Sequence, residues 1–285
     1  MRTHINLIAA ALLFFLSACD KVEGPYGTSG NNNNNTSDSV LKKVLVEDFT
    51  GHTCQACPRA HREATRLKGV FREQMVVIAV HADFWAEPYP SGAPYFTYDF
   101  RTPVATQITT DFGVIGQPFP KGMVNRKLNP TTGTPFVLDW GNWEGKINDL
   151  LQEPAEAGLK ITPDYDTASR TMTASVEVKM LSVNPDAMEL AVYFIEDSIV
   201  NWQKDQDANP ANVQNYVHNH VLRGSLNGTY GESLGVLAEG QTVTKSYSAP
   251  LTPNDAVPGK ISLVAILSNS STKEIIQVEE VQLLE

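Results

Sequence analysis

The sequence predicts an α/β domain followed by an all-β sandwich. Three observations carry this. A β-prone run, Val44 to Phe49, leads through a glycine loop into a helix-forming stretch that starts at Cys54 or just after. A second run, Met75 to His81, is continuously apolar, as a central strand buried on both faces should be. After Pro154 the texture changes to repeated β-prone runs separated by turn residues, the pattern of an antiparallel sandwich. With 42% apolar residues over 285 positions, each part has enough material for a core.

The chain opens on Arg2 and an apolar run from Ile5 to Leu16, broken only by Asn6. That length suits the core of a signal peptide and is too short to span a bilayer. Leu16-Ser17-Ala18-Cys19 resembles the lipobox of bacterial lipoproteins. The resemblance implies that residues 1–18 are removed and that Cys19, diacylated, becomes the N-terminus and membrane anchor. An ordinary secretory signal with an incidental cysteine is the alternative. Residues 19–40, with the homopolymer Asn31 to Asn35, cannot bury surface and read as a flexible tether. A net charge of −10 without a basic run argues against a nucleic-acid partner.

Residues 41–155 form the first expected domain. With Cys19 assigned to lipid, Cys54 and Cys57 remain, two residues apart. A strand, a short loop and CxxC at a helix start is the thioredoxin arrangement. The helix N-terminus has unpaired N–H groups and about half a positive charge, which favours the thiolate of the first cysteine. Cys54 is then the exposed attacking thiol and Cys57 the resolving one, and the spacing allows a disulfide between them. Pro58 suits the first helical turn, where no N–H is needed.

Here the sequence resembles the thioredoxin family in more detail. In that family a buried acidic residue lies six positions before the first cysteine, and Asp48 occupies that position. The resemblance gives Asp48 the role of passing protons to and from Cys57. Glu47 competes for it, since strand alternation turns only one of the two inward. Thr53 stands where the family has Trp, and Gln55-Ala56 where it has Gly-Pro. A family cis-proline should face the CxxC; of Pro118 and Pro120, Pro120 fits because the β-prone Gly122 to Asn125 follows it. Phe119 would then offer its backbone to a substrate chain, and His52 could stabilise a Cys54 thiolate by charge. Residues 82–102 form an aromatic insert, read either as packed-down loop or as peptide-binding surface. Pro103 to Phe112 and Trp140 to Leu151 are expected helices.

Two other readings of the cysteines stay open. One is a structural disulfide in an oxidising compartment. The other is zinc, with His52, His61 or His81 as partners, although no second ligand pair accompanies the CxxC. Haem attachment is excluded because Pro58 follows Cys57 where His would be required. The expectation is no metal and no cofactor.

Residues 156–285 form the second expected domain. Six or seven β-prone runs, one strictly alternating from Met172 to Met180, suggest an immunoglobulin-like sandwich. His218 and His220, on one strand, would face the same side, either as metal ligands or as polar packing. Three Asp-Ser/Thr-aliphatic triplets, starting at Asp38, Asp166 and Asp197, look like short bacterial glycosylation acceptors. The lipobox, the VEDFTGHTCQACPRA and FPKGMVNR segments and the histidine stretch together resemble the Omp28-related outer-membrane lipoproteins. That resemblance implies an outer-membrane lipoprotein with a thioredoxin-like domain and a β-sandwich, and a role as surface antigen or adhesin. The leading expectation is therefore a lipid-anchored envelope thiol–disulfide oxidoreductase, or redox-active accessory protein, acting on protein thiols, with the sandwich engaging a partner protein. The competing expectation is a surface-binding protein or adhesin whose Cys54–Cys57 disulfide is inert.

Overall fold

Strand β1 (Val44–Thr50) and strand β2 (Met75–His81) pair in parallel, register Asp48↔Ala79, and every residue of both is buried. They are joined by helix α1 (Cys57–Phe71), which lays Ala60, Ala64 and Leu67 on the sheet. The computed structural model describes residues 40–89 and 94–284. The expected signal peptide, Cys19, nearly all of the tether, and residues 90–93 of the insert lie outside the described residues.

Helix α2 (Pro103–Asp111) starts on Thr102, whose hydroxyl accepts from the Ala105 N–H, with Pro103 in its first turn. The chain then enters β3 (Lys121–Val124), antiparallel to β1, and helix α3 (Trp143–Leu151). Gly122 lets Trp143 lie flat against β3, since a Cβ there would sit 2.5 Å from the indole. The sheet thus has two apolar faces. Val104, Ala105 and Ile108 of α2 cover Leu45, Phe49 and Ile78 on one. Helices α1 and α3 cover Val44, Val46 and Val77 on the other.

Ten strands follow: β4 (Ala157–Asp166), β5 (Thr171–Met180), β6 (Ala187–Glu196), β7 (Ile199–Lys204), β8 (Asn212–His218), β9 (Val221–Ser225), β10 (Glu232–Val236), β11 (Thr242–Pro250), β12 (Ile261–Asn269) and β13 (Ile275–Gln282). The alternation read from Met172 to Met180 holds, with Met172, Ala174, Val176, Val178 and Met180 all buried. They sit on β4–β5–β11, a three-stranded sheet packed against Leu190, Val192 and Phe194 of β6 and Leu263 and Ala265 of β12.

The boundary expected at residue 155 is not a seam. The large sheet runs β13–β12–β6–β9–β2–β1–β3, with β10 added to β6, so strands from both expected domains share it. The join is narrow: Ala79 of β2 pairs with Val221 of β9, and the Ala79 N–H donates to the His220 carbonyl at 2.7 Å. Val264, Ile266 and Val278 from the C-terminal half complete the cluster that contains Leu45 and Ile78. The C-terminal strands are therefore not a free-standing layer pair; part of them extends the α/β sheet. The run read from Met188 to Val200 also divides, into β6 and β7, and β7 leaves the sheet to pair with β8.

Candidate functional site: the Cys54–Cys57 loop

The loop after β1 closes on its own backbone. The Cys54 N–H donates to the Gly51 carbonyl at 3.0 Å and the Cys57 N–H to the Cys54 carbonyl at 3.3 Å. Gly51 packs on the main chain of the next loop: a Cβ would lie 2.3 Å from the Trp85 carbonyl carbon and oxygen. Thr53 fastens the same contact, its N–H and hydroxyl both donating to the Trp85 carbonyl, at 3.1 and 2.9 Å. Gly51→Ala must push these loops apart and should cost about 1–3 kcal/mol in a urea titration, the usual range for overpacking. A wild-type midpoint would refute the contact.

Helix α1 begins at Cys57, three residues later than the earliest expected start, with Pro58 in its first turn. Cys54 and Cys57 are joined as a disulfide with Cα atoms 5.5 Å apart. The pair thus sits at a helix N-terminus, but not in the open. Cys57 is fully buried and Cys54 is only 2% exposed, against the expectation of an exposed attacking thiol. The β7–β8 hairpin covers it. Gln203 Nε2 donates to the Cys54 carbonyl at 3.0 Å and to the Gly51 carbonyl at 3.3 Å. The Lys204 and Gln206 N–H groups donate to the His52 and Gln55 carbonyls, at 2.8 and 2.9 Å. At the rim, Arg62 pairs with Asp205 at 2.9 Å and with Asp207 at 2.6 Å, and Arg59 joins Asp207.

Strand alternation in β1 separates the two candidate acids. Glu47 lies on the α2 face, where Arg126 holds it with two hydrogen bonds of 2.9 and 2.7 Å. Asp48 turns to the α1 face. Its Oδ2 is 3.5 Å from His61 Nε2, and its Oδ1 has no hydrogen-bond partner. Burial pushes its carboxyl well above the ordinary carboxylate range. His61 bridges the Thr50 hydroxyl, at 2.8 Å from Nε2, and the Tyr216 hydroxyl, at 2.7 Å from Nδ1. Burial lowers its pKa to about 4.

His52 does not carry the charge expected of it. It is buried, its Nε2 bonds the Glu87 carbonyl at 2.8 Å, and Phe96 and Phe100 meet its ring edge-on. Burial lowers its pKa, so it is neutral beside Cys54. The Phe119–Pro120 bond is cis, and Phe119 packs between Phe49 and Trp85 in the cluster that holds both cysteines. Pro118 does not carry the cis bond. Among the described residues of the aromatic insert, Phe96 and Phe100 are buried, Trp85, Tyr95 and Tyr98 half-buried, and Phe84 and Tyr89 exposed. His218 and His220 do not share a strand face: His218 ends β8, buried, and His220 lies in the following turn at φ +57°. Gln203 and Tyr216, which complete the site, were not legible, since nothing local marks residues some 150 positions from the cysteines.

A mixed α/β protein with a helix-start disulfide and a second β layer on the same sheet is the class these features define. The chain belongs to the Omp28 family: the family described as outer membrane protein Omp28 matches residues 105–285, which crosses the expected domain boundary. No helix among the described residues is long and apolar enough to cross a membrane. HBP35 of Porphyromonas gingivalis shares the fold with a TM-score of 0.63 and 17% identity, over 86% of this chain and 76% of that one. A protein of Agrobacterium tumefaciens aligns with a TM-score of 0.51 and 12% identity, over 86% and 96% of the two chains. A domain of the outer membrane lipoprotein Omp28 from Porphyromonas gingivalis aligns over 45% of this chain and 88% of its own, at 21% identity and a TM-score of 0.31. No curated protein sequence matches the chain.

Proposed function

We propose that this chain is a lipid-anchored recognition protein of the cell envelope, built on a thioredoxin-like scaffold whose disulfide is a structural staple. Membership of the Omp28 family and the lipobox at Cys19 support the location and the anchor. The strand–CxxC–helix order, the inward Asp48 and the cis bond at Pro120 support the scaffold. The observation that carries the function is the burial of Cys54 beneath β7–β8. Disulfide exchange requires a thiolate to reach a sulfur in line, and a covered sulfur forbids that approach. Recognition then falls to the outer surfaces, including the β-sandwich, which would engage a partner protein.

A second reading keeps thiol–disulfide exchange, with Cys54 attacking, Cys57 resolving and Asp48 handling the proton once the hairpin lifts. The inward Asp48, whose carboxyl pKa is raised by burial, favours it. One experiment divides the two. Under the staple reading, dithiothreitol reduces the native protein slowly, and Cys57→Ala traps no protein partner on membranes. Gln203→Ala removes the two hydrogen bonds to the cysteine loop, worth about 1 kcal/mol each, and should speed reduction by at least about tenfold. A mixed disulfide trapped by Cys57→Ala and lost in Cys54→Ala would overturn the staple reading.

A further inference from the structure

Strands β7 and β8 stand apart from both larger sheets. Among the described residues each pairs only with the other, from Ile199↔His218 to Lys204↔Asn212. A lone two-stranded hairpin is marginally stable in water, so what holds it down decides how closed it stays. Its two ends are held differently. The base is tied to the body by backbone: the Ala79 N–H donates to the His220 carbonyl at 2.7 Å, and the Asp197 N–H to the Lys260 carbonyl at 3.0 Å. The two connections at the base also clasp each other. The Ser198 N–H donates to Asn219 Oδ1 at 2.9 Å, and the His220 N–H to Asp197 Oδ1 at 2.6 Å. Ser198 and His220 both take positive φ, +59° and +57°. The chain thus turns sharply into and out of the hairpin at one fixed point, where a few element-terminal residues can absorb a rotation.

The far end, residues 205–211, is held to α1 by charge. The tip is shaped from within: the Asp205 N–H donates to the Ala211 carbonyl at 2.8 Å and the Asp207 N–H to Asp205 Oδ1 at 3.0 Å. Its two carboxylates then meet two guanidinium groups of α1. Arg62 reaches Asp205 at 2.9 Å and Asp207 at 2.6 Å, and Arg59 holds Asp207 through hydrogen bonds of 2.8 and 2.5 Å. The Arg59, Arg62 and Asp207 side chains remain 45%, 52% and 38% exposed, so this network stands in solvent. Ion pairs in water are weak singly and are screened by salt. Between base and tip lies the seal itself. It consists of Gln203 on the Cys54 carbonyl, the Lys204 and Gln206 N–H groups on the His52 and Gln55 carbonyls, and the Tyr216 hydroxyl on His61. These bonds run to loop and side-chain atoms, so no strand ladder breaks when the hairpin leaves them.

We propose that β7–β8 is a strap over the disulfide, hinged at residues 197–198 and 219–220 and latched on α1 by the Arg59 and Arg62 pairs with Asp205 and Asp207. Release of the latch swings the tip away and admits a small reductant to the sulfurs. The inference rests on the reading that this hairpin covers Cys54, and it holds whether the disulfide is a staple or exchanges once uncovered. The opening is directional. The contacts nearest the latch, Gln206 to Gln55 and Gln203 to Cys54, are those that close the cysteine loop, and they part first. The base keeps its bond from Ala79 to His220, which joins the two halves of the large sheet. Access to the sulfurs is thereby separated from unfolding of the shared sheet, as a local opening of low cost.

The test is the rate at which an uncharged phosphine, tris(3-hydroxypropyl)phosphine, reduces the disulfide in the full chain at neutral pH, followed by mass after alkylation. Phosphorus attacks one sulfur and the S–S bond breaks. Water then gives its oxygen to phosphorus, leaving a phosphine oxide, and its two hydrogens to the two thiols. The reductant carries no charge, so salt acts on the protein alone. Raising sodium chloride from about 0.01 to about 1 M shortens the screening length from about 30 to about 3 Å and should speed reduction at least about threefold. The double variant Arg59→Gln, Arg62→Gln should be reduced at least about threefold faster than wild type at low salt and should lose the salt response. Urea well below the unfolding transition should raise the rate less steeply than it raises the unfolding constant. Slow reduction that ignores both salt and the arginines would overturn the latch and leave the cover standing. Reduction that follows global unfolding in urea would overturn the strap. Wild-type protein reduced as fast as oxidised glutathione would show that Cys54 is not covered at all, and the reading beneath the proposal would fall with it. The salt series on the unmodified protein decides the matter should the double variant not fold.

Discussion

Arg126→Met should destabilise the fold by about 3–5 kcal/mol in urea, the cost of leaving one member of a buried ion pair alone. Arg126 and Glu47 are each 1% exposed and meet through two hydrogen bonds. Burial alone would lower the Arg126 pKa, but Glu47 beside it raises it above the ordinary value, so the guanidinium stays charged. Its plane lies over the Phe112 and Tyr230 rings at 5.2 and 5.8 Å, and one nitrogen approaches the Tyr193 hydroxyl at 3.4 Å. The pair therefore bolts β1 of the first half to β6 and the β10 approach of the second. Glu47→Gln should cost a similar amount. The double variant Glu47→Leu, Arg126→Met removes both charges, and its loss should be smaller than the sum of the single losses, because no charge remains unpaired. Single losses under about 1 kcal/mol, or strict additivity, would show that the pair is solvated.

That bolt also shows what the sequence could and could not disclose. Alternation along β1 says that Glu47 and Asp48 face opposite ways, but which faces the helix depends on Arg126, a distant residue at φ +48°. Local signals were read well: Met75 to His81 is a strand to the residue, α2 lies within Pro103 to Phe112, and Pro120 carries the cis bond. Each depends on neighbours in the chain. The shared sheet depends instead on a single bridge between Ala79 and Val221, which no periodicity marks. Covering Cys54 likewise falls to Gln203, 149 positions away, on a strand that reads in sequence as the tail of β6. The histidine pair failed for a local reason: a turn at Asn219-His220 breaks the two-residue period that alternation assumes.

Acid should loosen the site steeply, through four buried groups that oppose one another. Burial lowers His61 to about 4 and His218 to about 3, and takes His81 well below 6.5. Between pH 6.5 and 4 the unfolded chain therefore binds three protons that the folded chain refuses, and stability falls as pH falls. Asp48 acts the other way. Its folded carboxyl keeps a proton that the unfolded one loses above about pH 4, so stability from this group falls as pH rises. The histidines outweigh the one carboxyl, so the balance of these groups is a loss of stability as pH falls toward 5. Asp48→Asn removes the opposing group, so its slope should be steeper than wild type by up to one proton's worth, about 1.4 kcal/mol per pH unit. His218→Phe should flatten the slope by about 1.4 kcal/mol per pH unit, the share of one histidine. Urea titrations from pH 6 to 5 measure all three, and equal slopes in wild type and Asp48→Asn would sink the assignment. The histidines lie under or within the β7–β8 hairpin, which also seals Cys54. Protonating them should lift the seal, so reduction of the disulfide by a phosphine, which works in acid, should accelerate over the same pH window in which stability is lost.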